Sequence, residues 1–435
     1  MAVLPVWHPD VEAYIEAKHD SSMLTGFNMS IGVTDDFMEA VDRDAPYDLR
    51  FGGRVHRTVG ATELWEKIML STHQWAEPGV LFLDSINRRN NLWYCEEITA
   101  TNPCGEQPLP PFGACLLGSF NLVKYLVPVV GGGYDFDWEW LASDVPTAVR
   151  ALDRVIDVAL YPLPEQELEA KSKRRMGLGV TGMANTLEAL GLPYGSPGFL
   201  EVEHRILHLI QREAYLEGTR LARTLGRFPL YDTDRYTSGE HFRSLDPDVQ
   251  REISIYGLRN SHYTSIAPTG TISMTADNVS SSIEPVYRWQ QKRAVIMPEG
   301  RIEVDLHDYG FKYLRTRGRR TSMGEVSARE HVAVLCAAQA HVDSAVSKTV
   351  NMDGSMPFED FKQLYVDAYL NGAKGCTTFN KDGKRAGLFR ETPEPADLPM
   401  PHAAYLGFDA GDQDYAVEAT LSCTWDPATG RRSCE

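Results

Sequence analysis

Residues 101–122 read TNPCGEQPLPPFGACLLGSFNL, from Thr101 to Leu122. Pro103, Pro108, Pro110 and Pro111 remove backbone donors and fix φ, which argues against a helix or a central strand. A stiff loop is expected. Within it Asn102, Cys104 and Glu106 alternate, and an extended backbone would turn all three side chains toward one pocket. Cysteine is a nucleophile or redox centre, glutamate a general base, and asparagine a neutral hydrogen-bonding orienter. By composition alone, a Pro-rich surface loop with an inert buried cysteine is an equally good reading.

Outward from this loop, helical periodicity alternates with short apolar runs. Leu64, Trp65, Ile68, Met69, Thr72 and Trp75 form a helical stripe over 62–75, stopped by Pro78-Gly79. Val80 to Leu83 then reads as a buried strand. Further stripes run through Val149, Leu152, Val155, Ile156 and Ala159; through Val202, Ile206, Leu209, Ile210 and Leu221, ending near Gly226; and through Phe358, Phe361, Leu364, Tyr365 and Ala368. Ser327 and Glu330 have the spacing of a capping box before the apolar helix Val332 to Val342. The alternation predicts an α/β architecture with buried parallel strands. RETPEPADLPMP, at residues 390–401, is Pro-rich and acidic and opens a linker to a mobile tail.

The chain has 435 residues, a globular composition and a formal charge of -17, which disfavours non-specific nucleic-acid binding. No apolar run is long enough to predict a membrane span. MAVLPVWHPD lacks the basic and apolar regions of a signal peptide, and the seven cysteines are scattered. Together these predict a reducing cytoplasm, where cysteines serve catalysis or redox chemistry.

Asn-Pro-Cys-Gly-Glu-Gln-Pro-Leu resembles the finger-loop motif of the ribonucleotide reductase catalytic subunit. Other segments agree with it. MAVLPVWHPDVEAYIEAK and FNMSIGVTDDFM resemble the first half of that family's barrel, and RRMGLGVTGMANTL a stretch after the finger loop. RNSHYTSIAPTGTIS resembles its phosphate-binding segment, and SSSIEPVY the stretch after that segment. CTWDPATGRRSCE resembles the C-terminal ends of some adenosylcobalamin-dependent members. The resemblance covers most of residues 1–380.

It implies a ten-stranded α/β barrel over 1–389, with a finger loop inside at about 101–122, and a linker with a dithiol tail over 390–435. The implied function is reduction of ribonucleoside di- or triphosphates to 2′-deoxyribonucleotides. Cys104 matches the thiyl radical that abstracts the 3′ hydrogen, Glu106 the carboxylate that takes the 3′-hydroxyl proton, and Asn102 the amide on the ribose hydroxyls. Asn102, Pro103, Cys104, Gly105 and Glu106 would line the substrate, and Pro268, Thr269, Gly270, Thr271 and Ile272 would hold its phosphates. Cys115 matches one member of the reducing pair. Cys423 and Cys434 would re-reduce that pair by thiol–disulfide exchange, drawing on an external dithiol such as thioredoxin.

The chain departs from the family in one respect. The partner of Cys115 should lie upstream, yet residues 1–94 hold no cysteine. The match also begins inside the first barrel half. A split or truncated reductase is therefore expected, with a companion fragment carrying the other cysteine. Members that draw their radical from a second, iron-containing subunit use two adjacent tyrosines near the end of the barrel. The matching stretch, Gly375 to Asn380, has none, which favours adenosylcobalamin. No corrin-contacting or metal-ligating residue is assigned.

Three further signals read as ordinary structure. Gly177 to Gly182 satisfies G-x-G-x-x-G, but no strand is expected before it, so a tight strand-to-helix connection is favoured over nicotinamide binding. His204 and His208 are spaced as on a solvated helix face, and Lys171 to Arg175 as a solvated basic turn.

Overall fold

The structure is a computed structural model that describes residues 1–20, 23–24, 26–286, 288–297, 300–314, 326–384, 423–426 and 431–434. The chain divides into two units, Met1–Leu388 and Phe389–Glu435. The strands that position the site are, in chain order, β1 (Ala2–Pro5), β2 (Met29–Val33), β3 (Gly79–Phe82), β4 (Ala100–Thr101), β5 (Pro108–Leu109), β6 (Leu116–Asn121), β7 (Met176–Thr181), β8 (Thr349–Met352) and β9 (Gly375–Asn380).

β1, β2 and β3 run parallel. β9 lies antiparallel against β3, through Gly375 opposite Leu81, and β8 lies parallel to β9. β6 and β7 form a separate parallel pair. Two parallel bridges, Leu178 to Thr264 and Ile266 to Val346, join that pair to the residues leading into β8. The hydrogen-bonded order is thus β1, β2, β3, β9, β8, the segment 264–266, β7 and β6. The last five are mutually parallel and oppose the first three.

The mixed α/β class expected from the pattern is therefore present. Closure into a ten-stranded barrel is not seen among the described residues: β1 and β6 each have one neighbour only. Burial follows the same order. Every residue of β2, β3 and β7 is buried, whereas β1 is half-buried throughout and β6 exposes Leu117.

The helices form where local signals place them. Ala61–Trp75 buries Leu64, Trp65, Ile68, Met69 and Thr72 and ends at Ala76 with φ +59. Pro197–Leu225 starts from Ser196, whose hydroxyl accepts from the Phe199 N–H, and stops at Gly226. Both halves of the Ser327/Glu330 capping box are made, opening the helix Ala328–Gln339. The stripe at 149–159 belongs to a longer helix, Trp138–Val158, capped by Asp137 and carrying Pro146.

Three expectations are corrected. G-x-G-x-x-G is not a connection in itself: most of it is β7, and only Gly182, at φ +76, makes the turn into the helix Met183–Ala189. Nor is the basic run a solvated turn. Lys173 pairs with Glu96 and Glu169, Arg174 with Asp153 and Asp157, and Arg175 with Glu96 and Glu169, and all three cations are buried. Apart from the local Glu169, their acids come from other segments, so burial carries its own charge compensation. His204 and His208 are not simply solvated either: they bond His341 at 2.9 Å and Asp246 at 3.0 Å. Among the described residues no helix is long and apolar enough to cross a membrane.

Candidate active site

Residues 102–107 are the tip of a hairpin, not an extended loop. β4 and β5 pair antiparallel, Ala100 opposite Leu109 and Thr101 opposite Pro108. Asn102 N–H donates to the Gln107 carbonyl at 3.0 Å, and the Gly105 N–H to the Asn102 carbonyl at 3.0 Å. Gly105 sits at φ +86, a conformation that glycine adopts without strain. The Asn102 side chain is drawn into the turn, since its Oδ1 accepts from the Gln107 N–H at 3.0 Å. Alternation therefore does not aim Asn102, Cys104 and Glu106 the same way. Cys104 is exposed, Asn102 is half-buried, and Glu106 is 3% exposed.

The hairpin is held from both sides. Asn28, just before β2, donates its Nδ2 to the Pro103 carbonyl at 3.1 Å. The Glu106 carbonyl accepts from the Ala345 N–H and the Ser265 Oγ, each at 3.0 Å. The tip thus bridges the β1–β3 set and the opposed five-strand set. Glu106 Oε2 is buried without a hydrogen-bond partner, as are Oε1 and Nε2 of its neighbour Gln107. Buried polar atoms are rarely left unpaired, so three at one hairpin mark a place for a polar ligand.

Desolvation and the Glu106 carboxylate hold the Cys104 thiol above its ordinary range. Cys115, immediately before β6, is half-buried and directs its Sγ to the Leu116 carbonyl at 3.5 Å. Burial raises its thiol strongly, with Asp343 and Glu106 adding to the effect against the opposing charge of Arg175. Both sulfurs are therefore thiols near neutral pH. That suits hydrogen-atom chemistry and disfavours a thiolate nucleophile. Cys95, Cys104, Cys115, Cys336 and Cys376 are all free.

Pro268 to Ile272 follows the segment 264–266. Gly270, Thr271 and Ile272 are exposed, but Thr269 is buried, and its hydroxyl accepts from the Ser282 N–H at 2.7 Å and meets Thr181 Oγ1 at 3.0 Å. Of the two threonine hydroxyls expected to face a phosphate, that of Thr269 is thus committed within the protein. In the second unit, β10 (Cys423–Asp426) and β11 (Arg431–Cys434) pair antiparallel with Cys423 opposite Cys434. The linker at 390–415 lies outside the described residues.

Gln107, Asn28, Ser265 and Thr181 escape a reading of the sequence. Gln107 lies within the motif, but its unpaired amide shows only once the hairpin is folded. The other three act through partners far along the chain.

Residues 1–379 match the family described as "Ribonucleotide reductase, barrel domain". The chain is 36% identical over 430 residues to a protein of Mycobacterium tuberculosis named vitamin B12-dependent ribonucleoside-diphosphate reductase, covering 92% of this chain and 58% of that one. A protein of the same name from Thermoplasma acidophilum is 33% identical, over 100% of this chain and 57% of its own length. A vitamin B12-dependent ribonucleotide reductase of Streptomyces clavuligerus is 26% identical, over 88% and 48%. The chain thus spans about half the length of these relatives.

Proposed function

We propose a function from one premise: the chain belongs to the ribonucleotide reductase barrel family. It reduces a ribonucleotide to the 2′-deoxyribonucleotide by a thiyl radical at Cys104. The observation that carries this reading is the hairpin tip, where a protonated, exposed Cys104 thiol stands two residues from the buried, unpartnered Glu106 carboxylate oxygen.

The Cys104 sulfur, as a radical, takes the hydrogen atom from C3′ and becomes a thiol again. Glu106 accepts the 3′-hydroxyl proton while the 2′-hydroxyl, protonated by one of two further thiols, leaves as water. Those two thiols supply two electrons and two hydrogens in all, one in the water and one at C2′, and end as a disulfide; Glu106 returns its proton to the 3′ oxygen and Cys104 its hydrogen atom to C3′. Cys115 is one of those thiols. Asn102, with Pro103 and Gly105, shapes the sugar side of the pocket. Gly270, Thr271 and Ile272 take the phosphates through backbone N–H groups and the Thr271 hydroxyl, with Pro268 and Thr269 setting the loop. Cys423 and Cys434, in register on β10 and β11, pass electrons from an external dithiol such as thioredoxin.

Adenosylcobalamin fits as the radical source on two observations: Cys104 is exposed, and a side chain at the adjacent Gly105 would meet nothing within 4 Å. When bound, it would supply the organic radical that removes the Cys104 hydrogen. β9, where two-subunit reductases carry adjacent tyrosines, offers Thr377, Thr378 and Phe379 instead. The ten-stranded barrel belongs to this reading as well.

A second reading is favoured by the sheet edges. Among the described residues β1 and β6 each have a free edge, and two added strands would bring the eight segments seen there to ten. A companion segment bearing the missing cysteine would occupy that gap, and the chain would turn over only with it.

The test is deoxynucleotide formation from cytidine di- and triphosphate by the purified chain with adenosylcobalamin and dithiothreitol, alone and with the relatives' preceding segment added. Product from the native chain and none from Cys104→Ala is expected, with slowing on 3′-deuterated substrate. Product from Cys104→Ala would overturn the radical assignment. Multiple turnovers by the chain alone would overturn the second reading.

A further inference from the structure

Three separate segments converge beneath the phosphate loop. Gly182 N–H donates to the Ser280 carbonyl at 2.7 Å and Met183 N–H to the Ser282 carbonyl at 3.3 Å. Asn185 locks the same segment, donating its N–H to Ser280 Oγ at 3.2 Å and accepting the Ser280 N–H on its Oδ1 at 2.6 Å. The turn after β7 is therefore fastened to residues 280–282.

Thr269 completes the arrangement in an unusual conformation. It sits at φ +52, a region that β-branched residues rarely enter. Its hydrogen bonds show what holds it there. Thr181 Oγ1 donates its only proton to the Ser280 carbonyl at 3.2 Å. In the 3.0 Å contact between the two threonine hydroxyls, Thr269 must then be the donor. Its oxygen in turn accepts the Ser282 N–H at 2.7 Å. Hydrogen bonds thus lead from Ser282 N–H to Thr269, from Thr269 to Thr181, and from Thr181 to Ser280, with a longer 3.4 Å bond from Ser282 N–H directly to Thr181 Oγ1. Each group in the relay is buried, and Thr181 is the one member whose hydroxyl both receives from the strained residue and hands on to the fixed segment.

We propose that Thr181 is a positioning residue for substrate phosphate: its hydroxyl holds Thr269 at positive φ and so presents the backbone of Gly270, Thr271 and Ile272 to the phosphate oxygens. This rests on the proposed reductase reading, which places the phosphates at that loop. Strain held by a buried relay is a means of pre-organising a loop before ligand arrives. Without the Thr181 hydroxyl, Thr269 relaxes toward negative φ and the three exposed residues lose their common direction. The sugar, which the hairpin tip serves, is untouched.

The test compares binding of cytidine 5′-diphosphate and of cytidine by calorimetry to the full chain. The reading itself requires the native chain to prefer the diphosphate. Thr181→Val should lower diphosphate affinity by about tenfold or more, leave cytidine affinity unchanged, and be restored by Thr181→Ser. Uniform weakening of both ligands, or an unchanged preference in a folded Thr181→Val, would overturn the positioning role and leave the reductase reading intact. A native chain without preference for the diphosphate would overturn the reading, and the positioning role with it. Should Thr181→Val fail to fold, Thr269→Val cuts the same relay while keeping the β-branched shape that disfavours φ +52. Retained preference in that variant would equally overturn the proposal.

Discussion

Gly179 of β7 runs so close to Ser265 that a Cβ at position 179 would collide with the Ser265 carbonyl oxygen. The neighbouring Gly177 faces Ser265 Cβ and Gln107 Nε2 at 2.7 and 2.8 Å from where its own Cβ would lie. Gly177 and Gly179 of the G-x-G-x-x-G string therefore serve strand packing beside the hairpin, and Gly182 the turn that follows.

From this contact, Gly179→Ala is expected to destabilise the chain by about 1–3 kcal/mol or more, because the obstacle is backbone and cannot swing away. Urea unfolding measures it. A Gly191→Ala control is strained by φ +80 but meets no atom within 4 Å, and so isolates the steric part. Equal losses in the two variants would refute the close-approach argument.

Glu96 makes a second stability prediction. Its side chain is 3% exposed and paired with both Lys173 and Arg175, and these charges hold its carboxyl below the usual range although burial opposes them. Glu96→Gln leaves two buried cations to share Glu169. Breaking one side of such a network costs about 3–5 kcal/mol. Chemical denaturation at pH 7 checks this, and a loss under about 1 kcal/mol would mean that Glu169 alone compensates both cations.

These residues also show what a sequence discloses. Ser327 and Glu330 are three residues apart, and their capping box is legible because all its partners are local. The helix stripes are legible for the same reason. The Lys171 to Arg175 run is misread as solvated, since its acids sit at 96, 153 and 157 as well as 169. The loop is misread as extended, because only the antiparallel pairing of Thr101 with Pro108 makes it a hairpin and brings Asn102 Oδ1 onto the Gln107 N–H. The strained Thr269 is invisible beforehand, its partners lying at 181 and 282. A motif names the chemistry of the loop, but the sheet order decides which side chains remain free to perform it.

Glu188 supplies a pH dependence. Its carboxyl is raised from the ordinary 4.5 to about 8, first by burial and then by the nearby Asp308 charge, and its Oε1 has no partner. Asp308 is itself raised to about 6 by burial, which its bond from Asn185 only partly offsets. A carboxyl whose folded pKa is raised binds its proton more tightly when folded. Its stabilising effect is then complete below the unfolded value of 4.5 and is lost as pH climbs to about 8. Stability should fall across that window, and Glu188→Gln should flatten the fall. Urea midpoints at pH 5 and pH 8 decide the matter: parallel losses in native and variant chains would assign the dependence elsewhere.

Cys104 offers a test of site electrostatics that needs no turnover. Its thiol is raised from the ordinary 9.0, mainly by desolvation and further by the Glu106 carboxylate. Alkylation follows the thiolate, so the pH profile of iodoacetamide labelling reports that ionisation. In the native chain the midpoint for the Cys104 peptide, followed by mass spectrometry, should lie above 9.0. Glu106→Gln removes the charge but keeps the shape, and should move the midpoint downward without returning it fully, because desolvation remains. Cys95 in the same digest serves as control: it is also raised, first by burial and then by its own neighbour Glu96, and should not respond to Glu106→Gln. A native midpoint well below 9.0 would mean that Cys104 is poised as a thiolate. That outcome would favour nucleophilic chemistry at the hairpin tip over hydrogen-atom transfer. An unchanged midpoint in Glu106→Gln would instead show that the Glu106 carboxylate does not face the sulfur, and the paired roles assigned to the two residues would fail together.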